Sequence, residues 1–564
     1  MATVSSPTLV SAHPLRLAWL RVTILVLLAF GLYLVTLSNN YTGGSIEFVT
    51  EIESGNWAVL LQPHKMLIHP SGWVFYQLWL FAGWQGNSLF PMQVFNALSG
   101  ALAVGLMYWA ALRVSGSPKT SWLVAAGFAV SCGPWLFSTE AEFVMLPLAA
   151  SLLVLTWVFD AAERKSRLGH AALLGIGTGV ATLLYISNIL LVPVVVVNIL
   201  ARVRRPWRTR LMEIAVYGIA AALIVAPVYA LVLVQVHGIH DLPGLLQFRL
   251  YGGQGTGTLY GKLAFSNVIY GGYALLKTLA GFPSLGLDDH ALFYLTRAEW
   301  AGRLVFLAFN AVVLLVMAVP VWIGFTRRRL LWSDTLSVKA ANDQARAPHR
   351  LVVIVLLVWS VLFTGFAVYW VPKDIQFWLP LLVAWWLLLA LLTPAPASGG
   401  AAAPSPRQPS RRITLRPHLL IGGLVIALAL INGFGVVLPH RSLANNAAYW
   451  TAMSVKDHTQ STDLIVTVVD RYIPYFTHRQ TVNVLEDVLK VGSEKKAEVF
   501  DAVEQKIAAT RAKGGRVFLL GIPPAQDSLW REIEVANLTY EDFARFKTRD
   551  AWSTPTGAVA EITP

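Results

Sequence analysis

Long apolar runs recur along this sequence, and they constrain its fold more than any other feature. An α-helix needs about 20 apolar residues to cross the hydrocarbon core of a bilayer. Runs of this kind occupy residues 17–37, 91–112, 120–137, 143–159, 169–186, 188–201, 211–236, 301–325, 351–371, 375–393 and 417–438. Only 13% of the 564 residues are charged, whereas soluble domains average about 25%. The sequence therefore predicts an all-α polytopic membrane protein with about eleven transmembrane helices.

Charged residues indicate how these helices are oriented. Lysines and arginines cluster in every second connection, and the alternate connections hold few of them. Basic connections stay in the cytoplasm, so loops 38–90 and 237–300 and the segment 439–564 are predicted to face outward, with residues 1–16 inside. Helix orientation thus explains the net charge of +13 and argues against a nucleic-acid partner. The apolar run 70–83 is too short to cross and is predicted to lie flat. The Ala-, Leu-, Val- and Arg-rich composition indicates a bacterial plasma (inner) membrane.

The C-terminal part of the chain has a different composition. Residues 394–416 are rich in alanine, proline and serine, which predicts a disordered cytoplasmic linker within the membrane domain 17–438. Beyond residue 438 the chain becomes polar, with short apolar runs at 464–469 and 517–522 and helical spacing at 494–513 between them. This pattern predicts a small extramembrane α/β domain. A structural cap or an acceptor-docking surface is favoured over a nucleotide site, because no glycine fingerprint follows the first strand.

The first outer loop concentrates titratable side chains in an otherwise apolar chain. Segment 45–61 is predicted to be an amphipathic helix on the membrane, with Glu47 and Glu51 on one face. A carboxylate at a partly dehydrated interface holds its proton more tightly than in water and can act as a general base. Glu47 is the leading candidate for this role. A solvated acidic face is the favoured reading of Glu51 and Glu53.

Two histidines and a lysine follow in the same loop. His64, Lys65 and His69 lie between Pro63 and Pro70, which fix the backbone and suit the presentation of side chains more than helix continuation. Together they can hold a phosphate, or Lys65 can anchor the loop by reaching lipid headgroups. The spacing of the histidines is a weak metal signal, so no cofactor is assigned and a divalent metal is kept as an alternative.

Glu140 and Glu142 lie in a short outer turn between two predicted helices. Acidic residues at a membrane boundary are costly, which makes both of them functional candidates. In the structural alternative Ser138 or Thr139 caps the next helix, with a glutamate in its first turn. One glutamate then belongs to the cap while the other serves the reaction.

Loop 237–300 and a late outer turn hold the remaining candidates. Glycines surround Arg249, which predicts a mobile loop that closes over a substrate, although a plain connector is favoured. The Asp-Asp-His run at 288–290 suits a helix cap better than a divalent cation. In the late turn, Lys373 either pairs with Asp374 or neutralises a lipid phosphate, and neighbouring aromatic residues line a substrate path or form an interfacial belt.

Several short motifs resemble those of a known class. The first helix precedes a large outer loop with an acid, followed by His-Pro-x-Gly-x-x-x-Tyr at 69–76 and a flat helix. With a late Tyr-Trp-x-Pro-x-Asp-x-x-Phe-Trp turn at 369–378, this layout resembles the GT-C class of membrane glycosyltransferases, in the branch related to protein O-mannosyltransferases. Relatives often carry an aspartate where this chain has Gly44, so either Glu47 has the catalytic role or the chain has lost it.

The resemblance implies inverting transfer of a sugar from a polyprenyl-phosphate carrier to an acceptor on the outer side. That acceptor is a protein, a glycolipid or a wall polymer. The catalytic candidates are Glu47, which would deprotonate the acceptor hydroxyl, and Glu140 and Glu142. The substrate-binding candidates, which include the contacts to the lipid phosphate, are His64, Lys65, His69, Arg249, Lys373 and Asp374.

Two other functional classes compete with the enzyme. One is a transporter or flippase of lipids or lipid-linked sugars, which the many helices favour. The sequence shows no obvious internal repeat and no conspicuous acidic residue in the middle of a predicted helix, and both features are common in such proteins. The other class is a non-catalytic membrane scaffold whose outer α/β domain binds a partner.

Overall fold

Helices, many of them apolar, form most of the described part of the chain. The computed structural model describes residues 13–160, 167–202, 205–241, 243, 264–281, 349–393, 417–468, 470–522 and 536–563. In the membrane part the helices are α1 (His13–Val35), α2 (Gly43–Ser54), α3 (Trp57–Leu60), α4 (Ile68–Phe81), α5 (Leu89–Ser115), α6 (Pro118–Val130), α7 (Cys132–Thr139), α8 (Met145–Asp160), α9 (Arg167–Leu184), α10 (Leu191–Leu200), α11 (Trp207–Leu231), α12 (Phe265–Leu279), α13 (His349–Trp370), α14 (Leu379–Leu392) and α15 (Pro417–Asn432).

The predicted spans within the described residues all coincide with helices. Six helices are long and apolar enough to cross a membrane, or seven if the bent pair α6–α7 counts as one span. Shorter apolar helices at Met145–Asp160, Ile186–Leu200 and Ile375–Leu391 match the other predicted runs. The predicted span 301–325 and the predicted linker 394–416 lie outside the described residues. The expectation of a multi-pass membrane protein is confirmed.

A bend of 59° separates α6 from α7. Ser131, between the two helices, has an extended backbone with ψ of 145°. Pro134 follows in the first turn of α7, where its missing N–H leaves no hydrogen bond unmade. The bend redirects the chain so that α7 ends at Thr139, directly before Glu140 and Glu142.

Segment 45–61 of the first loop folds into two helices, α2 and α3, rather than the single helix predicted there. That prediction is wrong because Gly55 adopts a left-handed conformation (φ 60°) and ends α2. Asn56 then caps α3 through a hydrogen bond from the backbone N–H of Ala58. The proline-bracketed segment also becomes helical earlier than expected. α4 begins at Ile68, so Pro70 lies in its first turn, a position that tolerates proline.

The C-terminal part contains the predicted small α/β domain. Its helices and strands are α16 (Leu438–Arg441), α17 (Ala447–His458), β1 (Leu464–Thr467), α18 (Tyr472–Thr477), β2 (Gln480–Asn483), α19 (Val484–Val491), α20 (Lys496–Ala512), β3 (Val517–Leu520), α21 (Tyr540–Ala544), β4 (Thr548–Thr554) and β5 (Gly557–Ile562). The sheet order is β2-β1-β3-β5-β4. β1 is parallel to β2 and β3, and the hairpin of β4 and β5 continues the sheet in antiparallel fashion.

Alternating side chains of the central strands bury both faces of this sheet. Leu464 and Val466 of β1 join the domain's own core, which also contains residues of α19 and α20. Ile465 of β1 and Phe518 of β3 point to the other side and belong to a hydrophobic cluster with Phe48 of the first loop. The domain therefore packs directly on the first loop, and this contact holds α2 in place over the helices.

Candidate active site

Two glutamates are almost completely buried between α7 and α8. Glu140 is 1% exposed and Glu142 is 5% exposed. Acidic side chains are almost never buried to this extent unless they have partners. The groups around these carboxyl groups therefore define the most unusual polar site in the described part of the chain.

Amide side chains of α5 hold the backbone of this segment. Gln93 Nε2 donates to the carbonyl oxygens of Ser38 (2.6 Å) and Thr139 (3.0 Å). One turn later, Asn96 Nδ2 donates to the carbonyl oxygens of Glu140 (2.9 Å) and Glu142. Because these bonds fix an irregular stretch of main chain, both carboxyl groups point in defined directions.

The alternative in which Ser138 or Thr139 caps α8 is wrong. Both residues belong to the last turn of α7, and their hydroxyls donate back to carbonyl oxygens of that helix, Pro134 and Leu136 respectively. Neither hydroxyl therefore caps the N-terminus of α8.

The side chains of both glutamates meet the N-terminus of α2. Thr42 caps this helix by accepting from the backbone N–H of Ser45 at 3.0 Å. The backbone N–H of Thr42 and the hydroxyl of Ser45 each donate to Glu140 Oε2 at 3.3 Å, and the Thr42 hydroxyl donates to Glu142 Oε1. The positive end of the helix dipole also favours carboxylates at this position.

A side chain at position 44 would not fit, because the Glu142 carboxyl group occupies the space beside Gly44. A Cβ atom at Gly44 would lie 2.5 Å from Glu142 Oε1 and 3.2 Å from its carboxyl carbon. The resemblance to relatives leads to the expectation of an acid at position 44. In this chain, a carboxyl group from the second outer turn lies beside that position instead.

We predict that Gly44→Ala lowers both stability and activity, because the new methyl group pushes the Glu142 carboxyl group away. Overpacking of this kind costs about 1–3 kcal/mol. Gly43→Ala is the matched control, since its Cβ would meet only Arg471 Nη1 at 3.6 Å, an ordinary contact. Thermal unfolding of the two purified variants measures the difference. Equal midpoints would show that the close approach of Glu142 is not required.

Burial changes the proton affinity of both glutamates. Burial and, to a lesser extent, the charge of Glu142 raise the pKa of Glu140 to about 8. Burial also raises the pKa of Glu142 to about 7, against the hydrogen bond from Thr42 and the charge of Lys65, which lower it. A carboxyl group with a pKa near neutrality exchanges its proton at working pH, as a general base must.

Lys65 is a buried cation near this pair. Lys65 is 7% exposed, and its Nζ atom lies 3.7 Å from the centroid of the Phe143 ring. Among the described residues it makes no hydrogen bond and no ion pair within 4 Å. Burial lowers the pKa of Lys65, whereas the surrounding charges of Glu47, Glu51 and Glu142 raise it. The ammonium group is therefore available to an incoming anion.

The two histidines of this loop are uncharged at neutral pH. Burial lowers the pKa of His64 to about 3 and that of His69 well below its usual value. His69 Nε2 lies 3.3 Å from Glu51 Oε2, and Glu51 Oε1 accepts from Gln62 Nε2 at 2.6 Å. His69 therefore lies beside Glu51 as a neutral ring, and of these three candidates only Lys65 supplies a positive charge.

Glu47 lies at the contact with the C-terminal domain. Its carboxylate is 2.9 Å from Arg471 Nη1, and Arg471 Nε is 3.1 Å from Glu486. About a third of the Glu47 side chain is exposed. Glu53, also in α2, accepts from the backbone N–H and hydroxyl of Ser88 and from the hydroxyl of Tyr475. These bonds favour structural roles for both carboxylates.

An apolar cleft adjoins the site at Phe143. Its volume is about 460 Å³, open solvent included, and the Phe143 ring that contacts Lys65 forms part of its wall. The other residues of the wall are mainly apolar and come from α8, the 186–190 turn, α13 and the 375–380 segment: Val144, Pro147, Leu148, Tyr185, Ser187, Asn188, Phe363, Phe366, Gln376, Phe377, Leu379 and Pro380.

The late outer turn borders this cleft. Asp374 accepts from the backbone N–H (3.0 Å) and side-chain amide (2.6 Å) of Gln376, a residue of the cleft wall. Its charge also raises the pKa of Glu142. Lys373 is exposed, with Nζ 4.8 Å from the centre of the Tyr270 ring. Asp374 therefore orients Gln376 at the edge of the cleft, whereas the side chain of Lys373 lies on the surface of the protein.

The structure thus brings Lys65, Glu142, Glu51 and His69 together, with Asp374 near the cleft. Arg249 and the 288–290 run lie outside the described residues. The sequence reasoning did not identify the residues that orient the glutamates, namely Thr42, Gln93 and Asn96, nor Phe143 and Arg471. Gln93 and Asn96 could have been found, because two polar residues three positions apart in the apolar helix α5 are an unusual pattern.

Within the described residues there is no group of three or more His, Cys, Asp or Glu side chains that suits a metal ion. The divalent metal therefore stays an alternative without a site on the described part of the chain.

The comparisons with known proteins give two kinds of match. No family model matches the chain. It is 31% identical over 212 residues to an undecaprenyl phosphate-alpha-4-amino-4-deoxy-L-arabinose arabinosyl transferase of Pseudomonas paraeruginosa, covering 36% of this chain and 38% of the relative. It is 28% identical over 179 residues to arabinosyl transferase 1 of Pseudomonas fluorescens, covering 31% and 30%. The match thus spans less than two-fifths of these relatives' length.

A solved structure covers almost the entire chain. ArnT from Cupriavidus metallidurans bound to undecaprenyl phosphate has a TM-score of 0.55 and 14% sequence identity, over 96% of this chain and 98% of that one. This likeness shows a shared fold. The GT-C-like architecture expected from the motifs, helices with a small C-terminal α/β domain, is confirmed.

Proposed function

We propose that the protein is an integral membrane glycosyltransferase that moves a sugar from a polyprenyl-phosphate donor to an acceptor. The observation that carries this proposal is the buried lysine on the Phe143 ring, which lines an apolar cleft, close to a glutamate whose pKa burial raises to about 7. An apolar groove, a buried cation and a base suit an amphiphilic donor with a phosphate leaving group.

The donor would bind with its prenyl chain against the apolar wall and its phosphate at Lys65. Phe143 connects these two parts, since its ring lines the cleft and lies 3.7 Å from Lys65 Nζ. The shared fold with a structure bound to undecaprenyl phosphate supports this class of lipid. The ammonium group stabilises the negative charge that grows on the phosphate as the bond to the sugar breaks.

The reaction needs a base on the acceptor. The acceptor hydroxyl oxygen attacks C1 of the sugar, the C1–O bond to the phosphate breaks, and its electron pair leaves with the phosphate. The hydroxyl proton passes to a carboxylate, for which we propose Glu142. Glu140, bonded to the same helix N-terminus, holds the segment and modifies the proton affinity of the pair. Glu47 is the alternative base, and its ion pair with Arg471 argues for a lesser role.

The similarity to arabinosyl transferases favours a lipid-linked 4-amino-4-deoxy-arabinose as the donor over the donors of the O-mannosyltransferase-related branch. The sidedness follows from charge. Arg205, Arg208 and Arg210 lie at the end of α11 remote from the glutamates, and basic ends stay in the cytoplasm. We therefore propose that the site and the C-terminal domain face outward and that the N-terminus lies inside.

The test is incubation of the purified full-length protein with radiolabelled undecaprenyl-phosphate aminoarabinose and an envelope lipid extract. Transfer of label to an acceptor, or slow release of free sugar, supports the enzyme. Movement of a fluorescent polyprenyl phosphate across liposome membranes without release would instead favour the flippase. Neither activity would favour the scaffold.

We expect the rate of transfer to rise with pH through about 7 and to fall again at alkaline pH. Glu142 accepts a proton only when it is ionised, so below its pKa of about 7 the rate drops about tenfold per pH unit. The decrease at high pH follows from the loss of charge on Lys65, whose pKa burial lowers. Values of kcat/KM from pH 5.5 to 10 give this profile. A rate that is constant between pH 5.5 and 8 would contradict the assignment of the base.

A further inference from the structure

A second charged cavity lies at the opposite end of the helices. Arg167, at the start of α9, lines it together with Arg202, Arg205 and Glu213, and its volume is about 290 Å³ with open solvent included. The other end of α9 lies at the candidate active site, where the backbone N–H of Leu67 donates to the carbonyl of Leu183. At 1.5 Å per residue, this helix separates the two sites by about 25 Å. The proposed transfer reaction therefore makes no use of this cavity.

Among the described residues that line this cavity, the positive charges outnumber the negative ones. Glu213 is 2% exposed, and Arg205 Nη1 donates to both of its carboxylate oxygens at 2.8 Å. This ion pair neutralises one arginine and leaves Arg167 and Arg202. Among the described residues, the Arg202 guanidinium makes no hydrogen bond and no ion pair within 4 Å. Burial, together with the charges of Arg205 and Arg167 and against that of Glu213, lowers its pKa to about 10.

We propose that this cavity binds a phosphate group, supplied by the headgroup of an acidic membrane phospholipid. Guanidinium groups match the geometry of phosphate oxygens and form charge-assisted hydrogen bonds to them. Basic pockets between helices at the cytoplasmic side are suited to anionic headgroups. The surrounding surface fits a lipid, because Trp207 and Met212 at the start of α11 are 61% and 55% exposed.

The experiment measures lipid retention by the purified full-length protein. Native mass spectrometry follows the binding of phosphatidylglycerol and, separately, of phosphatidylcholine. Arg202→Gln removes an arginine of the cavity that has no partner among the described residues, and Arg202→Lys restores the charge. Arg208→Gln is the matched control, because Arg208 is an exposed arginine beside Trp207 outside the cavity. If Arg202→Gln does not fold, Arg167→Gln replaces it. A parallel arm measures protection against thermal unfolding by inorganic phosphate.

We expect the wild-type protein to retain phosphatidylglycerol over phosphatidylcholine. Loss of one charge-assisted contact in Arg202→Gln is expected to weaken this retention about tenfold, with Arg208→Gln within about twofold of wild type. Protection by inorganic phosphate that depends on Arg202, without lipid preference, would support the phosphate site but assign it to a soluble ligand. Equal loss of retention in Arg202→Gln and Arg208→Gln would overturn the proposal. So would a protein that neither prefers phosphatidylglycerol over phosphatidylcholine nor is protected by inorganic phosphate.

Discussion

Replacing Glu142 by glutamine is expected to reduce turnover by about 10²–10⁴-fold, the range that a positioned general base contributes. Glutamine keeps the size of the side chain and still accepts the hydrogen bond from Thr42, so the fold around α2 is retained. It cannot take up the acceptor proton. The KM for the donor is expected to change little, because the phosphate contact lies at Lys65. Steady-state kinetics with labelled donor measure both parameters.

Glu47→Gln is the matched control for this substitution. Glu47 lies in the same loop, but its carboxylate is already paired with Arg471 at 2.9 Å. We expect it to lose less than about tenfold in turnover, through a weaker contact with the C-terminal domain. The reverse pattern, with an inactive Glu47 variant and an active Glu142 variant, would return the role of the base to Glu47, the leading candidate of the sequence analysis.

Replacing Lys65 by methionine is expected to reduce the affinity for polyprenyl phosphate by at least about tenfold, and kcat/KM by about 10²-fold or more. Methionine fills the same space against Phe143 but provides no charge for the phosphate. Removing a buried charge that has no ion pair with any described residue is not expected to destabilise the protein. Competition by undecaprenyl phosphate against labelled donor measures the affinity.

Lys373→Met serves as the comparison for this second variant, because both lysines are phosphate candidates from the sequence. Lys373 is exposed, and charges at an exposed position contribute little. We expect less than about a threefold change. If Lys373→Met loses affinity while Lys65→Met retains it, the donor phosphate lies at the late outer turn and not at the first loop.

Hydrophobic pattern was sufficient to locate the long apolar helices, because a bilayer requires such runs and leaves few alternatives. It missed α12 (Phe265–Leu279), which lies in the segment predicted as loop 237–300. The short strands β1 and β3 were also predictable as continuous apolar runs, which strands buried on both faces produce. β2 was missed, since Gln480–Asn483 has no apolar run and lies at the edge of the sheet. The hairpin of β4 and β5 was missed for a similar reason, because most of its residues are exposed or half-buried.

The site was harder to predict than the fold because its contacts join distant parts of the sequence. Thr42 and Glu142 are separated by 100 positions, and no local pattern relates them. Glu51 was assigned to a solvated face, yet it contacts Gln62 and His69, and burial raises its pKa to about 7. Whether a charged residue in an outer loop is solvated depends on what covers the loop. Here the C-terminal domain covers it.

That covering has a consequence for the biogenesis of the protein. The Tyr472 hydroxyl donates a hydrogen bond to the carbonyl of Tyr41, 431 positions earlier in the chain. Asn39 Nδ2 donates to the carbonyl of Arg441, 402 positions later. Ribosomes add about 5–20 residues per second, so the first loop emerges roughly 20–90 s before its partners exist. During that interval its apolar helix face and its carboxyl groups are without their final cover. A ribosome-stalled nascent chain ending near residue 430 should therefore present the first loop to proteases, and the finished chain should protect it.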